Sequence, residues 1–345
     1  MSQTFEKPSV HNARPEEAMK PMNAVVRTQY GSPDVLQLKK VEKPTPNEIR
    51  GVLVKIYAAS ANPLDWHTMR GSPILARASE GLRKPKNPGL GTDISGRVEA
   101  VANNITQFKP GDEVFGRSTG SFAEYTIARE NRLALKPADS SFDEAAAVPV
   151  AGLTALLALR DYGHIQSGQK VLVNGASGGV GTFAVQIAKS FGTEVTGVTS
   201  TRNLDMVSKI GADHVIDYTK EDFTKNGEQY DLICDCVGNR SVSDYKRALN
   251  PKGICVIVGF TKMSRLIQHA VVGSVASKTG SKKIRFMGNP KIVQQDLIVL
   301  KELIETGKVK PVIDRRYPLS ETPAAIRYLE EGHARGKVII NVFQE

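Results

Sequence analysis

The stretch Lys170-Val-Leu-Val-Asn-Gly-Ala-Ser-Gly-Gly-Val-Gly181 constrains this chain more than any other part of it. Apolar Val171-Leu-Val173 leads into a turn with glycine at 175, 178, 179 and 181. Val180, Ala184, Ile187, Ala188 and Phe191 then fall on one face of a helix. Strand, tight turn and helix in that order aim backbone N–H groups and a helix N-terminus at one point, which suits a phosphate. Glycine is needed because a Cβ would block the turn or hold a pyrophosphate away from it. The pattern predicts a parallel α/β unit that binds a dinucleotide through Gly178, Gly179, Val180 and Gly181.

The following strand, Glu194–Thr199, points to which dinucleotide. A site for NAD places an Asp or Glu after this strand to accept from the ribose 2′-hydroxyl. Here the chain reads Thr199-Ser-Thr-Arg202. Ser200 and Arg202 offer a hydroxyl and a guanidinium, and no carboxylate is present to repel a 2′-phosphate. NADPH is therefore expected. The alternative for Arg202 is a solvated residue opening the helix 203–210.

Residues 22 to about 132 carry short apolar runs at 24–27, 52–59, 94–101, 112–115 and 122–127. Turns such as Tyr30-Gly-Ser-Pro33 and Lys109-Pro-Gly-Asp112 separate them, a barrel-like or sandwich-like rhythm. A helical stretch over 142–159 leads out of it. From about Gln169 strands alternate with helices, at 171–174, 194–199, 214–217, 232–237 and 255–259. That pattern gives a parallel sheet covered on both faces. Residues 291–305 read as an amphipathic helix, and Gly336-Lys-Val-Ile-Ile-Asn-Val342 as a last strand that returns to the first unit.

At 345 residues the chain suits two domains. No apolar run is long enough for a transmembrane segment, and residues 1–20 lack the apolar core of a secretory signal. They are read as a flexible tail. The net charge of +10 is spread along the chain except at 83–86 and 278–285. With no recognition motif beside it, this charge implies an anionic cofactor and weak membrane-surface attraction rather than specific nucleic-acid binding. Three cysteines, Cys234, Cys236 and Cys255, exclude a disulfide framework and suit small buried positions in a reducing, cytoplasmic setting.

Several stretches together resemble the medium-chain dehydrogenase/reductase superfamily, in its zinc-free quinone oxidoreductase branch, which includes zeta-crystallin-like and enone reductases. They are Ala61-Asn-Pro-Leu-Asp65, Gly91-Thr-Asp-Ile-Ser-Gly96, Lys109-Pro-Gly-Asp-Glu-Val-Phe115, Gly120-Ser-Phe-Ala-Glu-Tyr125, Ala151-Gly-Leu-Thr-Ala155, the glycine turn and Gly336-Lys-Val338. The resemblance implies an α/β chain with a GroES-like β-barrel domain and a Rossmann doubly wound parallel sheet. The expected division is a tail at 1–21, a GroES-like catalytic domain at 22–145 completed by 290–345, and a Rossmann NADPH-binding domain at 146–289. It further implies an active site in the cleft between the two domains and allows a homodimer.

Departures from the zinc alcohol dehydrogenases carry as much weight as the matches. Asn62 stands where those enzymes have a zinc-ligating cysteine, and Gly91-Thr-Asp93 stands where they have a histidine. Their later cysteine is missing near Ala151–Gly152, and no cysteine precedes Cys234. No metal site is expected, Asp65, Asp93 and His67 offering at most a poor donor set. Without a Lewis acid, alcohol oxidation gives way to NADPH-dependent reduction of a quinone or an α,β-unsaturated carbonyl. The competing classes are a non-catalytic NADPH-binding redox sensor or structural protein and, with less support, a metal-dependent alcohol dehydrogenase.

Candidate catalytic residues are Asn62, whose amide donates either to an acceptor carbonyl or to its own loop, and Trp66, either an apolar wall for a flat acceptor or core. Asp65 is read as a loop cap rather than an acid, and His67 as a surface or structural histidine, with proton relay the alternative. By family analogy Thr154, Val258, Phe260 and Asn341 lie by the nicotinamide and Tyr218 by the 2′-phosphate, with core packing the alternative for Phe260.

Overall fold

The computed structural model of the chain describes residues 21–47, 51–74, 77–259, 280–288 and 293–343. The tail over 1–20 and Phe260 lie outside the described residues.

The N-terminal half builds a β unit. After the hairpin of β1 (Pro21–Val26) and β2 (Gln37–Glu42) come β3 (Val52–Ala61), β4 (Asp93–Val101), β5 (Glu113–Arg117), β6 (Tyr125–Ala128) and β7 (Leu133–Leu135). Two strands from the far end of the chain, β14 (Ile313–Pro318) and β15 (Lys337–Asn341), join them. The sheet order is β14-β15-β3-β4-β5-β7, with β6 paired to β3. Val338 of β15 lies opposite Ala61 of β3, antiparallel. The closing role expected for the last strand follows from that pairing.

The second sheet is parallel. Its order is β10 (His214–Asp217), β9 (Glu194–Thr199), β8 (Lys170–Asn174), β11 (Tyr230–Asp235), β12 (Leu249–Ile257) and β13 (Lys283–Phe286). Alternation explains its apolar runs. Val171 and Val173 of β8 pack into one core, while Leu172 between them packs into the core on the opposite face.

The helices are α1 (Pro63–Arg70), α2 (Arg77–Glu80), α3 (Phe142–Ala146), α4 (Pro149–Leu157), α5 (Gly179–Ser190), α6 (Leu204–Lys209), α7 (Val242–Ala248), α8 (Gln294–Glu305) and α9 (Thr322–Glu330). The helical stretch expected over 142–159 divides at Pro149, which has no N–H to donate into a continuing helix. No helix among the described residues is long and apolar enough to cross a membrane.

Candidate active site

The glycine turn opens directly from β8. Gly175 takes a positive φ of 82°, and Gly178 is the residue before α5, with no side chain capping the helix. The first N–H groups of α5 therefore keep their donors for a bound group. A Cβ on Gly181 would stand 2.1 Å from the Gly175 carbonyl oxygen and 2.8 Å from Ala176 Cα. Only glycine lets the helix start rest on the turn. The turn also touches the barrel, where Gly178 bridges to Gly336.

A cavity of about 530 Å³ runs between the two sheets. The glycine turn forms its floor, Ser200, Arg202 and Tyr218 line one end, and Asn62, Ala151 and Lys337 line the other. At the first end, Ser200 Oγ accepts from Asn203 Nδ2 at 3.2 Å, and the exposed Arg202 donates through Nη2 to the His333 carbonyl at 3.1 Å. Asp217, on the neighbouring strand, is a carboxylate that the sequence reading left out. Its oxygens accept from Thr201 Oγ1 at 2.5 Å and Thr219 Oγ1 at 2.7 Å, and those hydroxyls hold its carboxyl below the usual range. It is engaged there, and it is not among the residues that line the cavity.

At the other end a buried polar cluster forms the wall. The chain leaves β3 at Ala61 and starts α1 at Pro63, a residue suited to a first helical position. Asp65 turns back to accept from the Asn62 N–H at 2.7 Å. With Asp65 capping the helix, the Asn62 side chain faces the cluster instead. Its Nδ2 donates to the Ser60 carbonyl at 3.2 Å and to Asp93 Oδ2 at 2.9 Å. Its Oδ1 accepts from Lys337 Nζ at 2.6 Å. Asp93 also accepts from Ser60 Oγ at 2.8 Å, from the Val150 N–H at 2.9 Å and from Lys337 at 3.3 Å.

Of the residues expected at the site, Asn62, Gly178, Gly179, Val180, Gly181, Ser200, Arg202 and Tyr218 line this one cavity. Both hydrogens of the Asn62 amide point inward, so it is not placed as a free donor to an acceptor. Trp66 does not line the cavity. It is half-buried against the barrel core with its ring stacked on His67 at 3.6 Å between centroids. Buried Asp65 and Met69, four residues apart, set the inward face of α1 and carry Trp66 past the cleft. His67 Nδ1 sits 3.2 Å from the Ser72 carbonyl, and burial holds its imidazole below the usual range.

Thr154 and Val258 are half-buried outside the lining. Ala151, one turn earlier on α4, and Val237, after β11, stand there instead. Asn341 lies four residues along β15 from Lys337, about 13 Å away. Its amide donates to Asp143 at 2.7 Å. Cys236, just past β11, lines the cavity. The adjacent Cys234, then burial, push its thiol up.

Lys337 and Asp93 have roles here that the residue reading did not give them. Their signal was present as a lysine ahead of the apolar run Val338-Ile-Ile340 and an aspartate opening β4. Both side chains are almost fully buried.

Comparison with known proteins decides the family. A zinc-binding dehydrogenase family model matches residues 210–340, and an alcohol dehydrogenase GroES-like domain model matches residues 48–138. A chloroplastic quinone-oxidoreductase homolog of Spinacia oleracea is 35% identical, over 94% of this chain and 99% of its own. The chain belongs to the quinone oxidoreductase branch of the medium-chain dehydrogenase/reductase superfamily. The 2-methylene-furan-3-one reductase of Solanum lycopersicum is 37% identical, over 93% of this chain and 79% of its own. The solved quinone oxidoreductase of Coxiella burnetii superposes with a TM-score of 0.81 at 31% identity, covering 94% of this chain and all of that one.

In this quinone oxidoreductase-branch chain the wall does not fit the zinc that the matching family model's description implies. An ammonium has no lone pair to give a metal and repels a dication, and the Asn62 amide oxygen is already taken by it. Among the described residues no group of three His, Cys, Asp or Glu side chains is placed to hold a metal ion.

Burial first, and Asp93 next, push the Asp65 carboxyl up to about 7. A raised carboxyl favours the folded state below its unfolded value and loses that contribution as pH rises to the folded value. Relative to Asp65→Asn, which keeps an acceptor for the Asn62 N–H, the unaltered chain is expected to lose up to about 4 kcal/mol of stability between about pH 4 and pH 7. Urea unfolding of both proteins across that range checks it. Parallel pH profiles would remove the assignment.

Proposed function

We propose that this protein is a zinc-independent, NADPH-dependent reductase that delivers hydride to a quinone or an α,β-unsaturated carbonyl. The observation that carries the reading is one cavity joining two chemistries. One end is a glycine turn with uncapped N–H donors followed by Ser200 and Arg202. The other is a polar wall whose centre is an ammonium rather than a metal-ligand set.

Gly178 to Gly181 would hold the pyrophosphate, and Ser200, Arg202 and Tyr218 the 2′-phosphate. Bound NADPH supplies the hydride. Ala151 and Val237 add apolar surface to the cavity. When hydride adds to a conjugated acceptor, its π electrons move onto the carbonyl oxygen. Asp93 holds Asn62 and Lys337 in one fixed arrangement at that end of the cavity, and solvent supplies the proton.

The printed names of the relatives support both acceptor classes. One is a quinone-oxidoreductase homolog and one an enone-type reductase. We assign the reaction wall to residues 22–145 with 290–345 and the cofactor cradle to 146–289. Three free cysteines suit a reducing compartment. The chloroplastic relative makes an organelle as consistent with that as the cytoplasm.

The test is oxidation of NADPH by EDTA-treated protein against phenanthrenequinone, benzoquinone, a 2-alkenal, an aryl enone and a saturated aldehyde. Turnover of the conjugated acceptors, not of the aldehyde, and unchanged by chelation, is expected. Binding of NADPH with no turnover of any acceptor would replace the reading by a cofactor-sensing role.

A further inference from the structure

We propose that Lys337 is the built-in cation of the reaction wall, a positioning residue that locks the Asn62 amide and, paired with Asp93, sets a fixed dipole beside the oxyanion that forms on the acceptor. This rests on the reductase reading above.

Three observations carry it. First, the ammonium is enclosed. Lys337 is 2% exposed, and Nζ reaches Asn62 Oδ1 at 2.6 Å, Asp93 Oδ2 at 3.3 Å and the Ala61 carbonyl at 3.4 Å. Burying an ammonium costs several kcal/mol, and an apolar side chain would fill the same space without that cost. Packing alone therefore does not call for a lysine here.

Second, Asn62 cannot do this work alone. Its Nδ2 is spent on Ser60 and Asp93, and the cation beside it is Lys337, paired with the Asp93 carboxylate. With three acceptors around its three N–H groups, Lys337 acts through its charge and through Asn62. It is not placed to give up a proton.

Third, the same side chain joins the wall to the cofactor cradle. A Cβ at Gly179 would come within 3.2 Å of Lys337 Cδ. The residue before the lysine, Gly336, bridges to Gly178. The lysine stem thus runs against the glycine turn, and its head ends beside Asn62. Where a zinc enzyme sets a dication, this fold sets an ammonium held in a buried ion pair with Asp93. It cannot make an alkoxide from an alcohol, but it can favour charge on the oxygen of a conjugated acceptor.

The test compares Lys337→Met, Lys337→Arg and Lys337→Ala. Lys337→Met is expected to lower kcat about 100-fold, the scale of losing one oxyanion-stabilising group. Acceptor KM, and the NADPH Kd read from nicotinamide fluorescence, should stay within about threefold. Lys337→Arg should recover part of kcat. Ethylammonium should raise both the turnover and the Tm of Lys337→Ala and leave the unaltered protein unmoved. A Lys337→Met enzyme that binds NADPH and turns over within about threefold of the unaltered one overturns the proposal. So does a Lys337→Ala protein that ethylammonium neither stabilises nor reactivates.

If Lys337→Met does not fold, Asp93→Asn with Lys337→Met removes the unpaired carboxylate. The double variant is expected to bind NADPH and remain slow, and fast turnover by it overturns the proposal. If the unaltered protein reduces no acceptor, the reductase reading fails separately. The Tm response of Lys337→Ala to ethylammonium still decides whether the cation site is there.

Discussion

Gly181→Ala is expected to lower NADPH affinity by about 100-fold or more and to reduce thermal stability as well. The added methyl would meet backbone on two sides, the Gly175 carbonyl oxygen at 2.1 Å and Ala176 Cα at 2.8 Å. Backbone cannot rotate away as a side chain can, so α5 has to lift from the turn. Overpacking of that kind costs about 1–3 kcal/mol. The same shift withdraws the N–H donors from the pyrophosphate position, and each 1.4 kcal/mol lost is about tenfold in affinity. Gly178→Ala is the control for stability. Its Cβ would meet only the Gly175 oxygen, at 3.5 Å, and its φ of −81° suits any residue. Fluorescence titration and thermal unfolding of the two variants check this. Equal loss of stability at both positions would contradict the packing argument.

Arg202→Glu is expected to raise the NADPH Michaelis constant about 100-fold while moving that for NADH by no more than about threefold. The guanidinium is exposed and tethered by one N–H to the His333 carbonyl, which leaves further donors for a 2′-phosphate. A charge-assisted hydrogen bond is worth about 1.5–3 kcal/mol, and a carboxylate in its place adds repulsion. NADH has no phosphate there to lose. The two Michaelis constants, measured with one acceptor, decide it. Equal increases would take the 2′-phosphate away from Arg202.

Local chemistry made much of this molecule legible in its sequence. The glycine turn was readable because each glycine answers a steric demand within a few residues of itself. The parallel sheet was readable from the alternation of strands with helices after Gln169. The last strand was readable from Val338-Ile-Ile340, although its partner, β3, lies far away in the chain. The helix α1 was missed, yet Asn62-Pro63 with Asp65 three residues on is a helix-start signal.

What stayed hidden depended on contacts between distant segments. Lys337 and Asn62 are 275 residues apart, and no local pattern pairs them. A lysine leading an apolar strand was the available hint, because a buried charge needs a partner. Trp66 was placed by its position just after Asn62 and Asn341 by analogy, and the register of α1 and β15 carries both away from the cavity. Asp217 shows the opposite case, a carboxylate beside the expected phosphate position that Thr201 and Thr219 turn aside.

The most direct test of a metal-free hydride transfer is isotopic. EDTA-treated protein would be given an aryl enone and NADPH deuterated at nicotinamide C4, each epimer in turn, and the product examined by mass spectrometry. One deuterium at the β-carbon of the product is expected from one epimer, with turnover undiminished by chelation. Product without deuterium from either epimer, or turnover that is lost on chelation and restored by zinc, would contradict it.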